Sequence, residues 1–111
     1  MADETQELLK GTLDMLILQA LEREPMHGWG IAERLETHSR EVFKLQTGTI
    51  YPALHRLLRK GWIAAGWRTT ANNRQARYYQ ITASGRKQLD EARASWKRAS
   101  LAVNRILDAL S

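Results

Sequence analysis

Apolar side chains recur three and four residues apart at Leu9, Leu13, Leu16, Ile17, Ala20 and Leu21, the spacing that turns one face of a helix towards a core. Residues 6–22 are therefore predicted to form an amphipathic helix. Pro25 and Gly28 interrupt the pattern, and a second, shorter helix is predicted over about 28–39, with Ile31 and Leu35 inward; Gly30 weakens it, whereas Ala32, Glu33 and Arg34 favour it. Residues 40–46 read as a connection. The third stripe is Ile50, Leu54, Leu57 and Leu58, with Gly61 well placed to end its helix. Pro52 sets the expected start of that helix. A missing N–H costs nothing only within the first turn, so the cap is expected at Gly48 or Thr49 rather than at Thr47.

The period then changes to two. Ile63, Ala65 and Trp67 alternate with Ala64, Gly66 and Arg68, and Tyr79 and Ile81 alternate with Tyr78 and Gln80, which predicts two strands. Between them runs a polar segment, Thr69 to Gln75, whose paired asparagines Asn72 and Asn73 tolerate a left-handed backbone. This is a hairpin with a basic, exposed tip. Thr82 or Ser84 can cap a last helix from about Ala83 to Leu110. Along it Leu89, Ala92, Trp96, Ala99, Val103, Ile106 and Leu110 step by three and four without a break, an a/d seam. Such a helix is roughly 40 Å long, more than a small domain covers from one side, so a second copy is the economical partner.

Helix, helix, helix, strand, basic loop, strand, long helix is the order of a winged helix-turn-helix. The fold class is thus expected to be α+β, with a DNA-binding domain over 1–82 and a C-terminal dimerisation helix over 83–111. In that arrangement the third helix enters the major groove and the hairpin, or wing, reaches the backbone or the minor groove.

Composition narrows the class. A chain of 111 residues holds one small domain with a modest core, which oligomerisation would assist. It has no cysteine, which excludes disulfides, thiolate metal sites and thiol catalysis and fits a reducing cytoplasm. The acidic start, MADETQELLKG, leads to no sustained apolar run, and Met15 to Leu18 is too short for a signal peptide or a membrane span. A cytoplasmic protein with no membrane partner is the expectation.

Charge adds direction. From Val42 to Leu89 there are 48 residues without a carboxylate and with nine Lys/Arg. Residues 1–46 carry five bases and nine acids, net −4; residues 47–88 carry eight bases and no acid, net +8; residues 89–111 carry four and three, net +1. Grouped cations steer a polyanion in and release its counterions on contact. Charge by itself leaves nucleic acid, an anionic membrane and a merely solvated basic face open. All eight bases of the middle third fall on the third helix, the hairpin or the start of the last helix, which favours DNA. An enzyme is disfavoured: the basic region has no paired carboxylates, and the chain has no glycine-rich phosphate loop and no nucleophile spaced to a base. No cofactor is expected. His27, His38 and His55 form no metal site by spacing, and His27 reads as a turn or cap residue.

Four segments, LLKGTLDMLILQAL at 8–21, PMHGWGIAERL at 25–35, GTIYPALHRLLRKGWI at 48–63 and NNRQARYYQITASGRKQL at 72–89, carry a family resemblance over about three quarters of the chain. The chain resembles the PadR family of bacterial transcriptional regulators. The resemblance implies a homodimeric winged-helix repressor, joined mainly by its terminal helices and reading DNA with the third helix and the wing. A single helix after the wing is similar to the compact members, so functions tied to the larger members' extra helices do not carry over.

At Tyr51, in the GTIYPAL segment, the resemblance implies a phosphate contact. A phenol hydroxyl and the N–H groups of Gly48 and Thr49 suit that chemistry; packing of Tyr51 against the wing is the other reading. Thr49 and His55 are candidates for base edges, and Arg56 has the reach for guanine O6 and N7. Lys60 suits a phosphate or simply keeps the helix end solvated, and Arg59 fits either role. Arg74, with Asn72 and Asn73 beside it, is the wing's candidate for phosphate or minor groove. Arg77 is a further DNA candidate that could instead pair with an acid of the first helix. Lys10 matches the family's LLKG position and could touch the DNA backbone, or be an ordinary exposed lysine. Trp29 stands where the family often has tyrosine and is expected to pack. Trp96 on the seam reads as interface core; the resemblance adds a cavity for flat aromatic compounds in some compact members, for which Trp96, Arg93 and Lys97 are the candidates, unless Ala92 and Ala99 let the helices close. The expected function is a dimeric regulator on a palindromic operator in double-stranded DNA, a repressor relieved by a small aromatic effector. A winged-helix protein-interaction module is the alternative.

Overall fold

In the computed structural model, which describes residue 9 and residues 11–111, the elements run α1 (Leu13–Ala20), β1 (Met26–His27), α2 (Gly28–His38), α3 (Thr47–Arg59), β2 (Ile63–Thr69), β3 (Gln75–Ile81) and α4 (Ala83–Ala109). The first predicted helix, 6–22, is interrupted: Gly11 and Thr12 form a turn, Gly11 with a left-handed φ of +83° that ends a helix, so α1 starts only at Leu13. Residues 1–8 and Lys10 lie outside the described residues. The apolar stripes meet as expected. Ile17, Leu18, Leu21, Ile31, Ile50, Leu54, Leu57 and Leu89 are fully buried together, and Ile63, Tyr79 and Ile81 close the core from the sheet. Helix-turn-helix and hairpin thus share one core, the α+β winged-helix arrangement.

The start of α3 differs from the expectation. The helix begins at Thr47 with Gln46 as its N-cap, so Pro52 lies in its second turn and not at its edge. The lost hydrogen bond is the one that would have ended on the Gly48 carbonyl. Gly48 is exposed and has open space around it, so water can take that carbonyl, and the missing Cβ spares the proline ring a crowded turn. The Gln46 carbonyl accepts from the N–H groups of Thr49 and Ile50 at 2.9 and 3.0 Å, which completes the first turn. At the other end, Gly61 takes a left-handed φ of +74°, with its N–H on the Leu58 carbonyl at 3.0 Å and the Trp62 N–H on Leu57 at 3.1 Å. This is a Schellman stop, the role expected of Gly61.

Strands β2 and β3 pair antiparallel from Ile63 opposite Ile81 out to Thr69 opposite Gln75, and Asn73 at the tip has φ 60°. The two-residue strand β1 escaped the sequence reading. It adds to the far edge of β3, with Met26 opposite Tyr79 and His27 opposite Tyr78, giving the order β1-β3-β2. His27 is a cap, as expected: its Nδ1 accepts from the Gly30 N–H at 2.9 Å, and its ring stands edge-on to Tyr78. Thr82 caps α4, accepting from the Gly85 N–H at 3.0 Å while its hydroxyl donates to the Gly61 carbonyl at 2.7 Å. Leu89 is a correction to the seam: it is buried in the chain's own core rather than offered to a partner. Beyond Ala92 and Arg93 the helix leaves that core, and Trp96, Val103, Ile106, Leu107 and Leu110 stand exposed.

Candidate nucleic-acid interface

Because Ile50, Ala53, Leu54 and Leu57 face inward, the opposite side of α3 presents two ridges. Tyr51, His55 and Arg59 lie four residues apart on one, all exposed. Thr49, Arg56 and Lys60 lie on the other, which leans on α1. There Arg56 donates to Asp14 at 2.6 Å and the Lys60 ammonium stands 3.9 Å from the other Asp14 oxygen, with the Trp62 ring 4.6 Å from it. Arg56 is therefore held by a carboxylate in this state, and its expected reach to guanine has a competitor 42 residues away in sequence. The N–H of Thr49 is likewise taken by the Gln46 carbonyl at 2.9 Å, which leaves the Gly48 amide, in the first turn of α3, as the better placed of the two for a phosphate.

On the wing, Asn73, Arg74 and Arg77 are exposed. Among the described residues Arg77 makes no ion pair with an acid of the first helix. Its guanidinium lies over the Tyr79 ring at 5.8 Å, and burial pushes the Tyr79 phenol above its ordinary pKa, with the charge of Arg77 pulling the other way. The base that reaches back from the last helix is Arg93. It donates to Gln19 at 2.9 Å, Glu22 at 3.0 Å and Asp90 at 2.6 Å, which tethers α4 to the end of α1. Its hydrogen bond to Asp90, then that to Glu22, raises its pKa above an already high value. A guanidinium so placed clamps α4 to α1, and Glu22 and Asp90 compete with any effector for it. Trp96, by contrast, lines an open hollow of about 420 Å³ with Met15, Ala92 and Ala99.

Tyr51 has neighbours on both sides. Its ring covers the start of α2 so closely that a Cβ at Gly28 would come within 2.8 Å of it, yet its edge faces a groove of about 440 Å³ between α2, α3 and the wing. Two residues of that groove were missed. Trp67 is 69% exposed because the hairpin runs on beyond the core, so the inner face of β2 becomes an open face at its outer end. Trp29, expected to pack, is 62% exposed on the same groove: it follows the buried Gly28 on α2 and points away from Ile31. For Trp67 the available signal was its place in the strand beside Arg68, just before the basic tip; Trp29 stands about forty residues before that tip and carried none.

The family model of the PadR-like transcriptional regulators matches residues 17–91. The chain belongs to the PadR-like family. Transcriptional regulator Rv3488 of Mycobacterium tuberculosis is 30% identical over 88 residues, 79% of this chain and 78% of that protein. Among solved structures, a PadR-like transcriptional regulator from Bacillus cereus superposes with a TM-score of 0.80 at 31% identity, covering 91% of this chain and 96% of that one. A PadR family regulator from Eggerthella lenta gives 0.78 at 33%, covering 91% and 86%. The chain is accordingly a transcriptional regulator of a DNA-binding class and not an enzyme. Among the described residues no helix is long and apolar enough to cross a membrane, and no group of three or more His, Cys, Asp or Glu is placed to hold a metal ion.

The Asp14 clamp gives this PadR-like helix α3 a testable brake. Asp14→Asn is expected to cost about 0.5–1 kcal/mol of stability, because the ion pair is only partly buried, and to raise affinity for duplex DNA a few-fold by freeing Arg56 and removing a negative charge beside α3. Urea unfolding and a duplex titration read the two effects. A fall in affinity would mean instead that Asp14 holds Arg56 in its binding pose.

Proposed function

We propose that the chain acts as a homodimer on a palindromic operator and represses by occupying it, with residues 1–82 reading DNA and residues 83–111 joining the copies. One observation carries the DNA reading: the exposed ridge of α3 and the exposed bases of the wing belong to a 48-residue stretch, Val42 to Leu89, without a single carboxylate. Tyr51 and the Gly48 amide, with Lys60 and Arg59, would take phosphates; Thr49 and His55 would meet base edges; Asn73, Arg74 and Arg77 would follow the backbone or minor groove from the wing. Arg56 would join them once released from Asp14. Lys10, from the segment before α1, is kept as a backbone contact.

The dimer reading is supported by the exposed apolar run Trp96, Val103, Ile106 and Leu110 with Ala92 and Ala99, too long a face for a regulator to leave in water. Two α3 helices on one face of a duplex require half-sites about one helical turn, roughly 34 Å, apart. Repression needs nothing beyond that occupancy. The hollow beside Trp96 is sized for a flat aromatic effector, whose entry would change how the two last helices meet.

Salt is the test. Contacts to about six to ten phosphates should lower duplex affinity by roughly three to five orders of magnitude between about 50 and 200 mM salt. Absence of duplex binding at the lower salt would overturn the reading and favour a protein-docking winged helix. Repeating the titration with flat aromatic compounds addresses the effector: release of DNA supports it, and no response across such compounds removes it.

A further inference from the structure

We propose that Trp29 and Trp67 form an aromatic seat for a deoxyribose of the DNA backbone, between phosphates held by Arg74 and Arg77. The proposal rests on the DNA reading above and adds to it a contact type that charge does not supply. Two tryptophans from distant elements, the first turn of α2 and the outer end of β2, line one groove. Neither closes the core, since they are 62% and 69% exposed. An indole left in water forgoes a large burial, and two of them on one groove suit an occupant that covers both.

The groove selects the occupant. Its lining contains Arg74 and Arg77 and no carboxylate, so its charge fits an anion, while its walls, Trp29, Trp67 and the edge of Tyr51, are apolar. The DNA backbone has that alternation: a phosphate, then the apolar face of a sugar, then a phosphate. Arg77 stands directly opposite Trp67 in the ladder, so cation and indole lie one strand apart on the same face of the wing. A stacked duplex offers no free base face at its rim, which leaves the sugar as the group an indole meets there. The Tyr51 ring packs over Gly28 and the groove is already open in the DNA-free chain.

Full-length protein and a random-sequence duplex of about 30 base pairs at about 50 mM salt suffice for the test, because the contact is independent of sequence. Trp29→Ala with Trp67→Ala is expected to weaken binding about tenfold or more while leaving the log–log salt slope unchanged, whereas Arg74→Ala should reduce that slope by about one. In the wild-type protein, duplex should also protect both indoles from N-bromosuccinimide oxidation mapped by peptide mass, a measurement independent of how the variants fold. Unprotected indoles, or a folded double variant that binds duplex within about twofold of wild type, would overturn the seat and leave the DNA reading standing. A double variant that loses single-stranded DNA but not duplex would assign the indoles to unstacked bases and overturn it as well. A wild-type protein that binds no duplex would be a failure of the underlying reading itself.

Discussion

Glutamates in place of Trp96 and Val103 together are expected to leave single chains in solution and to cut operator affinity by about 10²–10⁴-fold, because the second half-site then has to be bound independently. Both positions are about half exposed in the single chain, at 51% and 53%, so neither change opens the core, and glutamate is a good helix former. What it removes is the partner's reason to bind. In a dimer closed through this face the introduced carboxylates would enter an apolar seam, unpaired and stripped of water, at a cost of several kcal/mol. Sedimentation velocity reads the assembly state and circular dichroism the retained helix. Dimers that survive the double change would place the interface elsewhere, the exposed Leu101 side of α4 being the first alternative.

Which parts of this chain could be read ahead follows from where the information lies. Periodicity is local, so α2, α3, the β2–β3 hairpin and the full run of α4 follow from spacings of three, four and two. The left-handed Asn73 and Gly61 follow from local backbone chemistry in the same way. Strand β1 does not: two residues have no period, and Met26 and His27 are strand because the edge of β3 lies beside them. Pro52 misplaced the start of α3 because its rule concerns the helix ladder, whereas the exposed Gly48 decides how much that lost bond costs here. The candidate site shows the same division. Exposed bases on α3 and the wing could be inferred from charge, but that Arg56 belongs to Asp14 and Arg93 to Glu22 is tertiary pairing over 42 and 71 residues. Leu89 sits in register with the seam yet is buried within its own chain, since heptad spacing cannot say at which turn a helix leaves its core.

Gly85→Ala is expected to destabilise the fold by about 2–3 kcal/mol, lowering the thermal midpoint by roughly 10 °C or more, although helix propensity alone predicts a gain of about 1 kcal/mol. The deciding term is steric. A Cβ on Gly85 would stand 2.0 Å from the Trp62 carbonyl oxygen and 2.9 Å from both its carbon and the Ile81 Cγ1. The obstacle is backbone and it is pinned: the same carbonyl accepts the Thr82 N–H at 3.0 Å, and the Thr82 hydroxyl holds the Gly61 carbonyl next to it. Moving Trp62 would break the junction that joins the stop of α3 to the start of α4. Gly66→Ala is the matched control, for its Cβ would meet nothing within 4 Å and stability should stay within about 0.5 kcal/mol. A Gly85→Ala protein that melts at or above the wild-type temperature would show that the carbonyl yields. The junction bears on function too: the direction in which α4 leaves the core sets the separation of the two α3 helices in the proposed dimer. A partial shift tolerated by the fold should therefore appear as lost operator affinity, greater than the loss for a single half-site, because one helical turn of DNA leaves little room for a changed span.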